Sequence, residues 1–441
     1  MLEYGHPWMR ILAVAYNFPP IGGAGVQRNL RLVAGLSRLG AEMVVVTGPA
    51  ETTSLWAPHD AGLAAETPPE IEIHRLAGPE PATSSLASRL ERLARVESEW
   101  SRWWRRGVVD LGRRVGRGCD LVWALMQPYA SAEPVAELAD ALGVPWAADL
   151  ADPWALDEMQ LYPSALHRRL ARREMRRALE SARGIVTSTR EADCQLVRSF
   201  PELADRPRTI GPVGWDRRDF EADPPSRSDD AFRIVHTGYL HTELGRKQRR
   251  SARVRRWLGG SLEGVDILTR SHVHLLRALN ALVERRPELR GRLELHLAGV
   301  QTAADHDVQR GAIDVRMLGY LEHPAVVSLM VSADLLFLPM HDLPPGRRAT
   351  IVPGKTYEYL ASGRPILAAV PDGDARDILA AAGTAYLCRP SDEAGMTDIV
   401  SRRFNALVAA EPDPVPDLDV VNQYEYGRLC SDLAAFFDSL V

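Results

Sequence analysis

The sequence predicts an α/β fold made of two Rossmann-like, doubly wound domains facing a cleft. Its 441 residues exceed what one hydrophobic core usually organises. Short apolar runs alternate with longer amphipathic stretches along the whole chain, the rhythm of strand–helix–strand units with parallel strands. That rhythm stops and restarts around residues 211–230, where Gly211, Pro212 and Gly214 open a stretch that then turns polar. The expected domains are 1–212 and 213–422, followed by a helical segment 423–441 that packs back on the first domain.

In the first half, the runs Ile11–Tyr16, Met43–Thr47, Ile71–Arg75, Leu121–Ala124, Trp146–Leu150 and Ile185–Ser188 are expected strands. Helical patterns such as Val26–Leu39 and Leu166–Ser181 separate them. The second half repeats the scheme with strands at Arg233–Thr237, Leu293–Ala298, Val315–Leu318, Leu335–Pro339, Pro365–Val370 and Ala385–Cys388. Its helices are expected at Val273–Arg286, Pro324–Val331, Pro353–Ala361 and Ala375–Ala382. Ligands of such sheets bind outside the carboxyl ends of the strands, so residues just past those ends are the candidates for function.

Composition narrows the classes. A hydrophobic content of 46% with 25% charged residues describes a globular chain, neither disordered nor collagenous. The net charge of −5 provides no overall attraction to nucleic acid or anionic lipid. Cys119, Cys194, Cys388 and Cys430 are scattered without CxxC spacing and read as reduced thiols of a cytoplasmic protein. The first apolar run is far too short to span a bilayer and lacks a signal-peptide cleavage pattern.

The most informative stretch runs from Ile351 to Ile366. Pro353 suits the first turn of a helix and Gly363 its end. The amino end of that helix follows the strand Leu335–Pro339 and a loop, which suits a diphosphate. Lys355, one of only two lysines in an arginine-rich chain, adds a point charge, and Glu358 adds a carboxylate one turn deeper. The alternative is a solvated Lys355–Glu358 pair on an exposed helix face. A Walker-type phosphate loop fails on spacing, because the glycine it needs at 349 is Ala349.

The run Lys355-Thr-Tyr-Glu358-Tyr-Leu-Ala-Ser-Gly-Arg-Pro-Ile366 closely resembles the donor-site helix of family-four retaining glycosyltransferases. So does the preceding strand Ser332-Ala-Asp-Leu-Leu-Phe-Leu-Pro339. Phe232-Arg-Ile-Val-His-Thr-Gly238, Leu295-His-Leu-Ala-Gly299 and Val315-Arg-Met-Leu-Gly319 are similar to that family's strand–glycine steps, in the same order. The resemblance implies the GT-B fold, a nucleotide-sugar donor as co-substrate and no cofactor. It implies that Glu358 holds the donor ribose and that amides near Gly354 and Gly238 hold phosphate or sugar oxygens. The family usually carries a second glutamate eight residues before the first, contacting the transferred sugar; here that place is Thr350, which is expected among the donor-binding residues although it supplies no carboxylate. It also often has an Arg and a Lys after the glycine turn, where this chain has Tyr239, so Arg270 or Lys355 is expected to supply the charge.

The amino-terminal half opens with a strand, Gly22-Gly23-Ala-Gly25 and a helix. Glycines let a backbone approach a bound group closely, and the resemblance places Gly22 and Gly23 near donor phosphates and acceptor; a turn without ligand is the alternative. The spacing is not the GxGxxG of a dinucleotide dehydrogenase. Asp149 near the end of the run Trp146–Leu150 and Asp152 just past it are carboxylates at a strand end. Asp149 is the candidate catalytic residue, as a polar contact to sugar or acceptor; a capped turn at Asp152 with Trp154 packed is the alternative. The resemblance implies front-face attack with retention, the leaving phosphate taking the acceptor's proton.

Other features are read as outside the chemistry. Asp372-Gly-Asp374 spells a metal-binding DxD but sits at an expected turn, and His272 and His274 have no further ligands near them in sequence, so no metal is expected. Residues 86–117 form a helical pattern with Leu86, Leu90, Leu93, Trp100 and Trp104 on one face and arginines along its later part. It reads either as a membrane-surface helix or as one packed on the sheet. The basic block of residues 246–256 reads as an anionic-acceptor site, such as for a lipid-linked pyrophosphate, or as a solvated loop. No nucleic-acid module accompanies these charges. The expected function is sugar transfer to a lipid-linked, polysaccharide or small-molecule acceptor, in the cytoplasm or at the inner membrane face. The rivals are a sugar-nucleotide epimerase or phosphorylase of the same fold, and a non-catalytic scaffold.

Overall fold

The computed structural model describes residues 9–54, 57–80, 97–221 and 230–441. The chain divides into two compact units. One holds residues up to Leu156, Arg169–Pro212 and Tyr426–Val441; the other holds Asp157–Arg168 and Val213–Glu425. The sequence reading kept residues 157–168 in the first domain. They pack with the second instead, tied there by backbone bonds from Tyr162 to Gly260 and from Ala165 to Leu258.

The first unit is a seven-stranded parallel sheet of β1 (Arg10–Ala15), β2 (Glu42–Thr47), β3 (Glu72–Arg75), β4 (Leu121–Leu125), β5 (Trp146–Leu150), β6 (Gly184–Thr187) and β7 (Arg208–Ile210). Their order is β3-β2-β1-β4-β5-β6-β7, so the winding reverses between β1 and β4. Alternation along β1 explains its central place: Leu12 and Val14 enter one core while Ile11, Ala13 and Ala15 enter the other. The short, half-buried β7 has too few apolar residues to register as a run in the sequence.

The helix Tyr426–Asp438 covers one face of this sheet through Leu429, Cys430, Leu433 and Phe437. Gly35 makes room for it, since a Cβ there would collide with Cys430 Sγ. On the opposite face lies the helix Glu99–Val115. Trp100 and Trp104 are buried against Tyr16, with Trp104 Nε1 donating to Ser131 Oγ at 3.0 Å. The membrane-surface reading of this tryptophan face is therefore corrected: its aromatic surface is core. Leu86, Leu90 and Leu93 lie outside the described residues.

The second unit is a six-stranded parallel sheet of β8 (Phe232–Thr237), β9 (Leu293–Ala298), β10 (Asp314–Gly319), β11 (Leu335–Pro339), β12 (Ile366–Ala369) and β13 (Ala385–Cys388). The order β10-β9-β8-β11-β12-β13 reverses between β8 and β11. The basic block is corrected too. It is neither a loop nor free of the body but the helix Thr242–Trp257, anchored by buried Gln248, which donates to Val265 O and accepts from Ile267 N.

The tryptophan face provides a stability test. Trp104→Ala should cost ~3–5 kcal/mol in chemical unfolding, whereas Arg102→Ala, on the exposed side of the same helix, should stay within ~0.5 kcal/mol. Equal effects at the two positions would contradict the assigned orientation of the helix.

Candidate functional site

In the second unit the candidates gather at the carboxyl end of β8, beside the reversal of strand order. β8 ends at Thr237, and Gly238 turns the chain with φ +95°. The turn is tight because Gly299 packs on it: a Cβ on Gly299 would come within 2.6–2.8 Å of the Gly238 backbone. The helix Lys355–Ala361 is held to this strand end at Tyr359, whose hydroxyl accepts the Thr237 N–H at 2.8 Å and lies 3.3 Å from the Thr237 hydroxyl. One turn earlier on the helix, Lys355 extends over the glycine turn. A Cβ on Gly238 would sit 2.9 Å from Lys355 Nζ, so a side chain there would displace the lysine, and the positive φ favours glycine.

Lys355 Nζ lies 3.2 Å from His236 Nε2, while His236 Nδ1 lies 3.0 Å from Phe337 O. These partners assign the tautomer: Nδ1–H donates to the carbonyl and Nε2 accepts from the ammonium. Burial, then the Lys355 charge, holds His236 well below the usual histidine range, so it is neutral. Burial and the nearby Arg270 push the Lys355 ammonium down to about 7, against the opposing pull of Glu358. His241, lowered by burial and by the same two cations, borders the cluster. Arg270, Lys355 and Gly238 thus stand together, a concentration of positive charge where the sheet's winding reverses.

Glu358 is on the same helix, its side chain 16% exposed, and its Oε1 lies 2.8 Å from His323 Nε2. His323 Nδ1 in turn lies 3.8 Å from Asp219 Oδ2. Gly354 has ordinary helical φ and ψ; a Cβ there would press on Val213 at 3.1–3.3 Å. Thr350 is buried, and both its N–H (3.0 Å) and its hydroxyl donate to the Glu158 carboxylate. The expectation that Thr350 touches donor is corrected on this geometry, because its donor groups point at protein.

In the first unit, Gly22 donates its N–H to Pro58 O, and Gly23, with φ 112°, precedes the helix Ala24–Arg38. This glycine turn follows β1 at the reversal between β1 and β4. Asp149 is fully buried and bidentate to Arg28, with contacts of 2.9 and 3.2 Å, and Arg28 Nη2 also donates to Gly211 O at 2.7 Å. Burial pushes the Asp149 carboxyl up and Arg28 opposes that shift. The proposal of Asp149 as a sugar or acceptor contact is corrected: a carboxylate without exposed surface, closed on a guanidinium, ties β5 to the first helix. Asp152 instead accepts from Gln127 Nε2, beside the stacked rings of Tyr129 and Trp154.

His236, Tyr359, His323, Arg28 and Glu158 escaped the sequence reading. Tyr359 had a visible signal, four residues after Lys355 and hence on the same helix face. Arg28 had a weaker one, a charge inside the amphipathic pattern of its helix. Asp372 and Asp374 sit at a turn among arginines, with Arg376, Arg389 and Arg348 within 3.7–3.9 Å.

Two substitutions test these assignments. Arg28→Ala strands a buried carboxylate and should destabilise the protein by ~3–5 kcal/mol in chemical unfolding. Tyr359→Phe removes the bolt at Thr237 and leaves a buried N–H without its partner, costing ~1–3 kcal/mol. Wild-type stability in either variant would remove the role assigned to that residue.

Residues 22–214 match the family described as glycosyl transferase 4-like domain, and residues 267–405 match glycosyl transferases group 1. Among curated protein sequences none matches. Among solved structures, Anabaena Alr3699/HepE, in complex with UDP and glucose, is similar at a TM-score of 0.59 and 16% identity, covering 98% of this chain and 100% of its own. Sucrose-phosphate synthase (tll1590) from Thermosynechococcus elongatus is similar at a TM-score of 0.63 and 13% identity, covering 98% and 99%. A structure described as a putative UDP-N-acetylglucosamine 2-epimerase from Listeria monocytogenes is similar at 0.55 and 14%, covering 98% and 96%. At such identities the likeness shows the shared GT-B fold. The two family matches, one in each half and in this order, establish that the chain belongs to the family-four-like glycosyltransferases.

Proposed function

We propose that this glycosyltransferase takes its sugar from a nucleoside diphosphate donor and transfers it, with retention, to a lipid-linked or polysaccharide acceptor. The observation that carries this reading is the placement of Lys355 and Arg270 around the Gly238 turn. Two cations at a strand end where the backbone can approach a ligand suit the paired charges of a diphosphate. HepE, described in complex with UDP and glucose, supports a nucleotide-sugar donor on this fold. Glu358 then accepts the ribose hydroxyls, positioned by His323.

In the proposed transfer the acceptor oxygen bonds to the anomeric carbon on the face that the diphosphate leaves. The bond from that carbon to the phosphate oxygen breaks, and the acceptor's proton passes to the departing diphosphate. The protein contributes positioning and charge, with Lys355 and Arg270 in the role a divalent cation fills elsewhere. Retention rests on the family resemblance.

A membrane-borne acceptor is supported by the carboxyl end of the helix Thr242–Trp257. Trp257 is 85% exposed, Leu258 39% and Leu166 60%, and Ala165 bonds to Leu258 through the backbone. Exposed Arg250 lies two helical turns before Trp257 on the same face, with Lys247 one turn further back. An exposed tryptophan beside cations suits an anionic bilayer surface. No helix among the described residues is long and apolar enough to cross a membrane. The reading therefore has the protein lie on the inner face and act from the cytoplasm.

Titration of UDP, GDP and ADP should show one nucleotide bound tightly, with Glu358→Ala weakening it ~10-fold or more. No binding of any of the three sinks the donor reading and favours a scaffold. A donor isomerised without acceptor favours an epimerase. The pH dependence follows from Lys355. Its ammonium is charged below about 7 in the free protein, and a bound diphosphate raises its pKa further. Affinity for a nucleotide sugar, whose phosphates hold constant charge in this range, should be full below pH 7 and fall as pH rises above it. Lys355→Met should flatten that profile. For the membrane contact, Trp257→Ala should reduce co-sedimentation with phosphatidylglycerol vesicles and leave nucleotide affinity unchanged.

A further inference from the structure

We propose that Glu158 is a positioning residue of the donor site, clamping the loop between β11 and the helix Lys355–Ala361 into the path that presents Gly354 and Lys355 to the donor. The role rests on the donor reading above. Glu158 belongs to the short segment Asp157–Arg168, which comes from the first half of the sequence but packs in the second unit. Its carboxylate is 6% exposed. Oε1 lies 3.0 Å from His341 Nε2 and accepts the Thr350 N–H at 3.0 Å, while Oε2 accepts the Thr350 hydroxyl. His341 stands two residues past β11, and Thr350 four before Gly354, so one carboxylate ties both ends of the loop. The next residue, Met159, is also buried and places its sulfur 3.6 Å from Arg270 Nη1. Two consecutive residues thus abut both the loop and the guanidinium of the cationic cluster.

The chemistry explains why a charge is used. Burial alone would raise the Glu158 pKa; the bonds from His341 and Thr350 outweigh it, and the group stays below the usual glutamate range. The loop therefore wraps an ionised carboxylate. For stability alone, apolar residues of the same volume replacing the carboxylate and its partners together often serve as well. Directional, charge-assisted bonds do something apolar packing does not: they select one backbone path for the loop. That path sets where the helix carrying Lys355 and Glu358 begins. Glu158 does not touch donor in this arrangement; it acts through Thr350 and His341.

The test is calorimetric titration of UDP, GDP and ADP into the full chain, comparing wild type, Glu158→Gln, Lys355→Ala and the double variant. Glu158→Gln should weaken the tightest nucleotide about tenfold. Because both residues act through one loop and helix, adding Glu158→Gln to Lys355→Ala should cost much less than tenfold. A structural defect elsewhere would leave the two effects independent. Wild-type affinity in Glu158→Gln, or full additivity, overturns the positioning role. If the wild type binds none of the three nucleotides, the donor reading fails and this role fails with it. The clamp itself is then read by amide exchange, which Glu158→Gln should speed in residues 341–354 and leave unchanged in β9; equal exchange in 341–354 overturns the clamp. Should Glu158→Gln not fold, Thr350→Val removes only the hydroxyl partner. It should weaken nucleotide binding in the same direction, and unchanged affinity again overturns the proposal.

Discussion

The hydrogen bond from the Thr237 backbone to the Tyr359 hydroxyl joins the last residue of a central strand to the helix that carries the candidate donor residues. With the Thr237 hydroxyl on the same tyrosine oxygen and Lys355 on His236, it fixes how far along that strand the helix sits. With it in place, Lys355 falls over Gly238 and within reach of His236, while Glu358 meets His323. The bond is buried, and a buried backbone N–H needs a partner, so it acts as a dowel between sheet and helix. Glycine at 238 is its complement, since any side chain there would occupy the space Lys355 uses.

Charge distribution separates the two units. In the first unit, Asp149 of β5 and Arg28 of the first helix are buried and closed on each other within 2.9 Å. Such a pair is internally neutral and offers little to an ion. At the reversal point of the second sheet, Arg270 lowers Lys355, and both cations, after burial, lower His236 and His241. Cations held close to cations disfavour one another's charged form, which is one cause of the lowered Lys355 pKa. The same topology thus accompanies a closed ion pair in one unit and a gathering of cations in the other.

The arginine-rich segments show how much context decides. Residues 99–115 and 242–257 both carry exposed cations, and each has tryptophan. In the first, Trp100 and Trp104 face the sheet and the arginines ride outside, Arg105 pairing with Glu133 and Glu137. In the second, Trp257 comes after the last anchoring contact of the helix and stands in solvent. Periodicity marks a face on each helix; it says nothing about whether sheet or water lies opposite.

What the chain determined unaided is the local part of the design. Apolar runs of four to six residues announced nearly every strand, because strands buried on both faces admit few polar residues. Lys355, Glu358 and Gly238 were legible because helix spacing and a glycine turn are short-range features, and the family match to residues 267–405 includes the helix. Three-residue β7 was invisible for lack of length. Tertiary structure alone decided the rest. It closed Asp149 on Arg28 across 121 residues of sequence, and it brought Glu158 to Thr350 across 192. No periodicity or spacing encodes pairs so distant. They form only when separate segments fold to the same place, and a carboxylate's role follows from what it meets there.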